Sequence, residues 1–372
     1  MKNGFVTILV GVVGFALIPV SVSAQGSRQG SRSLRLADSD QLSGRSQPSD
    51  RMNQLEAELV SLRTQLDDSL SVSAYSGSNS NCCFSSDCGE LKTGLSGGFE
   101  VVWLKPHFSE DTAFVISDMT DFQSIAFDNE YELTPRVWLA HTWENGFGVR
   151  LRYWNYDKNA IDQKFLIPAG FDAEARIAVD DSQGFNAFAD GDAGELMLAK
   201  HGLELHTLDL EMTNQFCLMN SQVVVSGGLR YLSLRNVYRV AAIAPDLSVS
   251  ESMLHNQRFE GFGPMLAMEV NRPLGDSGLS LYTNLRGAIL FGDATQKILD
   301  ERAGASPTSF RQNDSDKQIA IGELGIGVRY SLGVWYLQGG WEGQLWTDAG
   351  GPIRNTGDLG FQGFSLNFGF NR

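Results

Sequence analysis

The stretch Leu279-Ser280-Leu281-Tyr282-Thr283-Asn284-Leu285-Arg286-Gly287-Ala288-Ile289-Leu290-Phe291 decides the fold. Its odd positions are mostly aliphatic or aromatic, and its even positions carry Asn284 and Arg286. A strand presents successive side chains to opposite faces, so this stretch has one apolar side and one polar side. Arg286 on a lipid-facing side near mid-membrane would cost roughly 2–4 kcal/mol. It therefore belongs on the side away from lipid.

The same sorting recurs along the chain. Val149, Leu151 and Tyr153 oppose Arg150 and Arg152, and Leu208, Leu210 and Met212 oppose Asp209 and Glu211. Leu324, Ile326, Val328 and Tyr330 oppose Glu323 and Arg329. A polar face this rich in Arg and Glu points to lipid, not a protein core, on the apolar face. Such stretches fall at 98–108, 131–143, 147–156, 202–216, 222–235, 258–270, 278–291, 318–332, 334–346 and 359–370. Long gaps (109–130, 157–201, 236–257, 292–317 and 347–358) alternate with short ones, of which Asn145-Gly146 is the clearest hairpin turn. Long loops at one end and tight turns at the other characterise a sheet closed across an outer membrane. The predicted class is all-β: a transmembrane antiparallel up-and-down β-barrel of about 10 strands over 98–372. Both termini then lie on the short-turn, periplasmic side.

Two places break the alternation. Lys105 shares parity with Phe99, Val101 and Trp103, which predicts a bulge near Pro106 or an early strand end. Around His206-Thr207 the apolar parity slips by one residue, again predicting a bulge.

Ahead of the barrel, Met1-Lys2-Asn3, the apolar run 5–20 and Ser21-Val22-Ser23-Ala24 read as a cleaved export signal over 1–24. Residues 25–50 read as a disordered linker. Within 51–70, Met52, Leu55, Leu59, Leu62 and Leu66 fall at alternating spacings of 3 and 4, a short coiled-coil helix. A homo-oligomer, most simply a trimer, would bury that leucine stripe through residues 52–66. A lone amphipathic helix against the barrel rim or the cell wall is the other reading. Residues 71–97 form a Ser/Gly/Cys linker holding Cys82, Cys83 and Cys88. Cys217 falls at a short turn on the same side. A disulfide tether among these four is one arrangement, with three connectivities; free or metal-bound thiols are the rival.

A net charge of −15 argues against nucleic-acid binding. Forty glycines and 22 phenylalanines suit twisted strands, tight turns and a lipid-facing aromatic surface. Outer-membrane lipid is the expected partner.

The inward positions collect Glu100, Glu132, Asp209, Glu211, Glu269, Glu323 and Glu342 against Arg136, Arg150, Arg152, Arg230, Arg286 and Arg329. These are the candidate pore-lining residues. Buried charges without partners are costly, so a narrow lumen of this composition should be laced with ion pairs. It either passes small polar solutes or ions with weak selectivity, or is zipped shut by its own side chains. Barrels of eight strands are filled and those of sixteen or more are open; ten lies between.

The loop 157–201 is the most acidic. It also holds Phe165-Leu166-Ile167 and Phe185, so part of it is expected to fold inward as a constriction. Asp190-Gly191-Asp192-Ala193-Gly194-Glu195 is similar to a calcium loop, but its third acid and turn glycine are out of place. A solvated acidic surface is expected there, with no metal and no cofactor. A rim hydrolase using His201, His206, Asp157 and Asp192 is a remote alternative, and no Gly-x-Ser-x-Gly elbow occurs. The protein is not expected to be an enzyme.

The barrel start Gly97-Gly98-Phe99-Glu100-Val101-Val102-Trp103-Leu104-Lys105-Pro106-His107 carries a family resemblance. So do Arg136-Val137-Trp138-Leu139, Gly148-Val149-Arg150-Leu151-Arg152-Tyr153-Trp154, and the closing Gly360-Phe361-Gln362-Gly363-Phe364-Ser365-Leu366-Asn367-Phe368-Gly369-Phe370. Over about 97–372 the chain resembles the Legionella-type pore-forming outer-membrane proteins. The resemblance implies an integral outer-membrane barrel with a pore-forming role and no catalytic residue. The last strand is similar to the usual assembly signal ending on an aromatic residue, although Asn371 and Arg372 follow Phe370. A structural or adhesion barrel with a sealed lumen and functional loops is the alternative.

Overall fold

Alternating sequence becomes pairing in the computed structural model, which describes residues 93–118, 120–177, 187–354 and 356–372. The signal, the linker 25–50, the coiled coil, and residues 71–92 with Cys82, Cys83 and Cys88 lie outside the described residues, so the expected cysteine pairing does too. The last four residues of the predicted 71–97 linker, Gly94 to Gly97, instead belong to the first strand.

The strands in chain order are β1 (Gly94–Phe108), β2 (Thr112–Ser117), β3 (Phe122–Ala126), β4 (Glu132–Thr142) and β5 (Phe147–Asn159). Next come β6 (Gln163–Leu166), β7 (Asp172–Ile177), β8 (Ala187–Gly191), β9 (Leu196–Leu218) and β10 (Ser221–Ile243). The chain closes with β11 (Val249–Pro273), β12 (Leu279–Arg302), β13 (Thr308–Leu332), β14 (Trp335–Thr347) and β15 (Leu359–Asn371). No helix occurs among the described residues.

Ten strands form a closed antiparallel ring, β1-β4-β5-β9-β10-β11-β12-β13-β14-β15 and back to β1. Closure runs from Ser96↔Asn371 to Phe108↔Leu359, so neither terminal strand leaves a free edge along this seam. These ten are the ten segments read from the alternation. The tight ends have the backbone the sequence asks for: Gly146 has φ 82°, and Met219 and Asn220 have φ 49° and 60°. Two positive φ values in a two-residue loop make the β9–β10 connection a type I′ hairpin, whose twist matches its strands.

Around the ring a band of apolar side chains faces outward. Phe99, Leu139, Leu151, Leu210, Leu229, Leu266, Leu285, Ile326, Leu337 and Leu366 are each exposed, at 41–71%. Only a lipid environment accounts for a continuous girdle of this kind.

The inner face uses glycines where aromatic rings lie flat across the wall. Tyr282 is the register partner of Gly327, which in turn faces Gly340. A Cβ on Gly340 would collide with the Tyr282 hydroxyl and with the Ile326 carbonyl oxygen of the next strand. Gly340→Val is therefore expected to destabilise the folded barrel by about 1–3 kcal/mol through overpacking. Urea unfolding in detergent micelles would measure it.

Both predicted bulges are absent. β1 continues past Lys105 in register, with Lys105↔Gln362 and Pro106↔Phe361. Pairing of β1 with β4 stops at Leu104↔Glu132, so the missing Pro106 N–H leaves no ladder bond unmade on that side. Lys105 is simply above the lipid band, 4.0 Å from Asp128. β9 likewise pairs with β10 without interruption from Ser221↔Leu218 to Ile243↔Leu196.

The parity slip near His206 has a different cause. β9 to β13 run 23 to 25 residues each, whereas about 9–11 suffice to cross a bilayer. Their upper halves project as a crown, where water replaces lipid outside and the apolar side turns inward. Leu203, Leu205, Leu232 and Leu234 are accordingly buried inside, while Leu208, Leu210 and Leu229 lower on the same strands point out. Within the ring, the register shifts that do occur lie at Ala242/Ile243 and Gly292/Ala294.

The described parts of the gaps 109–130 and 157–201 carry strands of their own. They supply β6, which pairs with the upper part of β9, and a second sheet ordered β3-β2-β7-β8. Its apolar face (Phe114, Ile116, Ala173, Ala175, Ile177, Ala187 and Ala189) packs with Tyr238, Val240, Ala242, Met253 and Ile298 of the crown. Of the loop residues expected to fold inward, Ile167 is 1% exposed and Phe165 packs against the same cluster, whereas Leu166 is 67% exposed and Phe185 lies outside the described residues. Alternate residues, such as Asp172, Glu174 and Asp190, stay exposed.

Candidate functional site in the lumen

Inside the lipid-spanning part, eleven charged side chains from nine strands meet. Glu100 and Arg136 are register partners, as are Arg152 and Asp209, Asp209 and Arg230, Arg150 and Glu211, and Arg286 and Glu323. Register therefore sets opposite charges directly across from one another, where a cross-strand pair is closest.

The contacts form one connected layer. Arg136 grips Glu342 with two hydrogen bonds of 2.9 and 2.8 Å and donates to Glu100 at 3.2 Å. Arg230 donates two more, of 2.7 and 2.8 Å, to Asp209 and a further one to Glu323. Glu211 accepts from Arg150 at 2.5 and 3.0 Å, from Arg286 at 2.6 Å and from Ser226 at 2.8 Å. Glu269 lies 2.6 Å from Arg150 and 2.9 Å from Arg286. Arg152 bridges the halves more loosely, 3.5 Å from Glu323 and 4.0 Å from both Asp209 and Glu100. Two-point guanidinium–carboxylate pairs are the strong, geometrically specific kind.

Two of the thirteen sequence candidates lie apart from this layer. Glu132 sits toward the crown and accepts from Lys158 at 2.9 Å. Arg329 lies toward the turn end, donating to Gln338 at 2.6 and 2.9 Å with its guanidinium over the Tyr336 ring. There a cavity of about 140 Å³ opens at the turn end and stops at Arg150, Arg152 and Arg286.

On the crown side of the charges lies an apolar layer that the alternation alone does not reveal. Trp154, Tyr156, Trp346 and Phe361 pack edge to face with ring centroids 5.2–6.3 Å apart. Leu104, Leu205, Leu232, Leu290 and Ile319 complete it, each 0% exposed. The two layers are joined. The Arg136 guanidinium stands over Trp154, and Trp346 Nε1 donates to Gln344, which donates to Glu342. The signal that could have exposed this layer was the run of inward leucines in β9 and β10, at the place where parity changes.

The remaining sequence candidates do not converge. His201 is buried inside the crown against Phe108 and Phe127, whereas His206 is exposed outside and meets the Tyr153 hydroxyl at 3.3 Å. Being on opposite sides of one strand, they cannot share a reaction centre. Cys217 is half-buried near the turn end of β9. Within 190–195, the Asp190 N–H donates to Glu251 and the Asp192 N–H to Glu195, so two of the carboxylates around this loop cap backbone.

Above the barrel, Asp111 accepts a 2.6 Å hydrogen bond from Asn129, and burial pushes its carboxyl up to about 6. A raised carboxyl binds its proton more tightly folded than unfolded. Its contribution to stability therefore falls as pH rises from about 4 to about 6 and is flat above. Asp111→Asn is expected to remove that fall, so that variant and wild-type melting temperatures separate across this window, with the variant higher at neutral pH. Thermal unfolding followed by circular dichroism at a series of pH values checks it.

Residues 89–371 match the family described as Legionella pneumophila major outer membrane protein precursor. No curated protein matches. Among solved structures, a major outer membrane protein from Thermus thermophilus is 12% identical with TM-score 0.31, covering 74% of this chain and 99% of that one. The Pseudomonas putida toluene transporter TodX is 6% identical with TM-score 0.31, covering 75% and 90%. The transport unit of the Escherichia coli autotransporter AIDA-I is 9% identical with TM-score 0.25, covering 78% and 95%.

Proposed function

The chain belongs to the Legionella outer membrane protein family and is an outer-membrane β-barrel, and we propose that its lumen is shut at rest and its work is done by the crown. The charge layer carries this reading. Five arginines and six carboxylates fill the cross-section, and Arg136, Arg230, Arg286, Asp209 and Glu211 are each no more than 3% exposed. A hydrated ion moving through must separate those pairs and then cross the aromatic layer, whose wall of Leu104, Leu205, Leu232, Leu290 and Ile319 offers little to replace its water. The barrel then serves as a membrane-held scaffold whose ordered crown faces outward, with the tight turns and both termini toward the periplasm.

One observation favours a second reading, a conduit passing small polar solutes or ions with weak selectivity. Arg152 has its three carboxylates at 3.5–4.0 Å and no closer, and the cavity at the turn end reaches it. Exchange of Arg152 between partners would be the first step of opening.

Planar-bilayer recording of the purified full chain decides between them. The shut barrel predicts no ohmic current above bare lipid at low voltage. A steady single-channel conductance there would overturn it in favour of the conduit.

A further inference from the structure

The outer surface of the crown carries cations that the lumen does not use. Arg235, Arg258, Lys297 and Arg311, on β10 to β13, share a shallow groove of about 620 Å³ with Glu204 and Glu260. On β10, Arg235 is two outward positions past the lipid-facing Tyr231; on β11, Arg258 is two past Phe262; on β12, Lys297 is three past Phe291. At the usual strand rise and tilt these cations stand about 10–15 Å beyond the edge of the hydrocarbon. That is the depth of lipid headgroups and of the sugars attached to them.

Their pairing has no internal explanation. Arg235 is the register partner of Arg258, and Lys297 is the register partner of Arg311. Like charges directly opposite on one face destabilise a sheet. The chain has only 29 basic residues against 44 acidic ones, so two such pairs side by side on one patch are not a by-product of abundance. Arg235 has Glu204 at 3.4 Å and Arg258 has Glu260. Lys297 and Arg311 have no ion-pair partner among the described residues, Arg311 donating only to Asn313 at 3.4 Å. The carboxylates at the lower edge, Glu260 and its register partner Asp293, lie on the lipid side of the cations.

We propose that this surface binds the phosphorylated sugar headgroup of an outer-leaflet glycolipid, with the phosphate between Lys297 and Arg311. An anion placed there turns a repulsive cross-strand pair into two charge-assisted contacts. Continuity with the apolar band beneath supplies the place for the acyl chains, so one molecule meets both surfaces. The inference rests on the crown facing outward, but binding in detergent is independent of whether the lumen conducts.

The test is native mass spectrometry of the detergent-purified full chain with phosphorylated lipid A and with its dephosphorylated form. Wild type is expected to retain the phosphorylated form about tenfold better, a free-energy difference of about 1.4 kcal/mol. The double variant Lys297→Ala/Arg311→Ala is expected to lose that preference, and Lys297→Arg/Arg311→Lys to keep it. Arg272→Ala, an exposed arginine at the opposite rim, is expected to keep it too. Heat-modifiable gel mobility confirms that each variant is folded. Equal retention of the two lipids by wild type, an undiminished preference in the double alanine variant, or loss of it in Arg272→Ala would each overturn the proposal. Complete displacement of lipid by inorganic phosphate would as well, since it would mark a site for the free ion.

Discussion

Glu211→Gln is expected to lower the unfolding free energy of the barrel by about 3 kcal/mol, toward the lower end of what breaking a buried ion pair costs. Glu211 is 0% exposed and accepts from Arg150, Arg286 and Ser226. Glutamine keeps the shape but removes the charge, and it turns one acceptor into an NH2 group facing guanidinium donors. Arg150 is then left to Glu269, and Arg286 to Glu269 and the more distant Asp209 at 3.8 Å, which holds the loss to the lower end of the range. Equilibrium urea unfolding in detergent or lipid vesicles gives the number. The same variant is expected to stay silent in a planar bilayer, because the layer of Trp154, Tyr156, Trp346 and Phe361 is untouched. A loss below about 1 kcal/mol, the value typical of exposed pairs, would mean the charge layer is hydrated. The shut-lumen reading would then fail with it.

The second large effect concerns the neighbouring face. Leu285→Arg is expected to cost roughly 2–4 kcal/mol of insertion free energy and to deplete the folded, heat-modifiable form in membranes. Leu285 is 41% exposed and lies between Met268 and Leu324 in register, in the middle of the apolar band. Arg286, one residue on, is 3% exposed and paired. An arginine is thus native at one position and disruptive at the next, with strand pleat the sole difference. Thr295→Arg, on the same outward face of β12 but above the band, is expected to insert normally. If Leu285→Arg and Thr295→Arg gave equal yields of folded protein, the boundary between lipid and water drawn here would be misplaced.

The ten strands of the ring, their faces and the tight turns were legible in the sequence because each depends on neighbours close along the chain. Pleat fixes which side chains share a face, and residues such as Asn145-Gly146 fix a hairpin locally. The inward set from Glu100 to Glu342 followed from parity alone. Five short strands inside the long gaps were not legible. β2, β3, β6, β7 and β8 have 4 to 6 residues each and take their order from packing against the crown, not from their own pattern.

Alternation by itself determined that an apolar and a polar medium lie on opposite sides of each strand. It does not say which medium is which, and so the reversal around His206-Thr207 read as a bulge when it marks the passage from lipid to water. Tertiary structure alone decided that Arg152 stands opposite Asp209 and Arg286 opposite Glu323, and that Trp154 and Phe361 meet across the axis. Those facts depend on register and closure, which join residues up to a few hundred positions apart. Whether a lumen of charges is a passage or a seal is a property of those distances, and no single strand contains them.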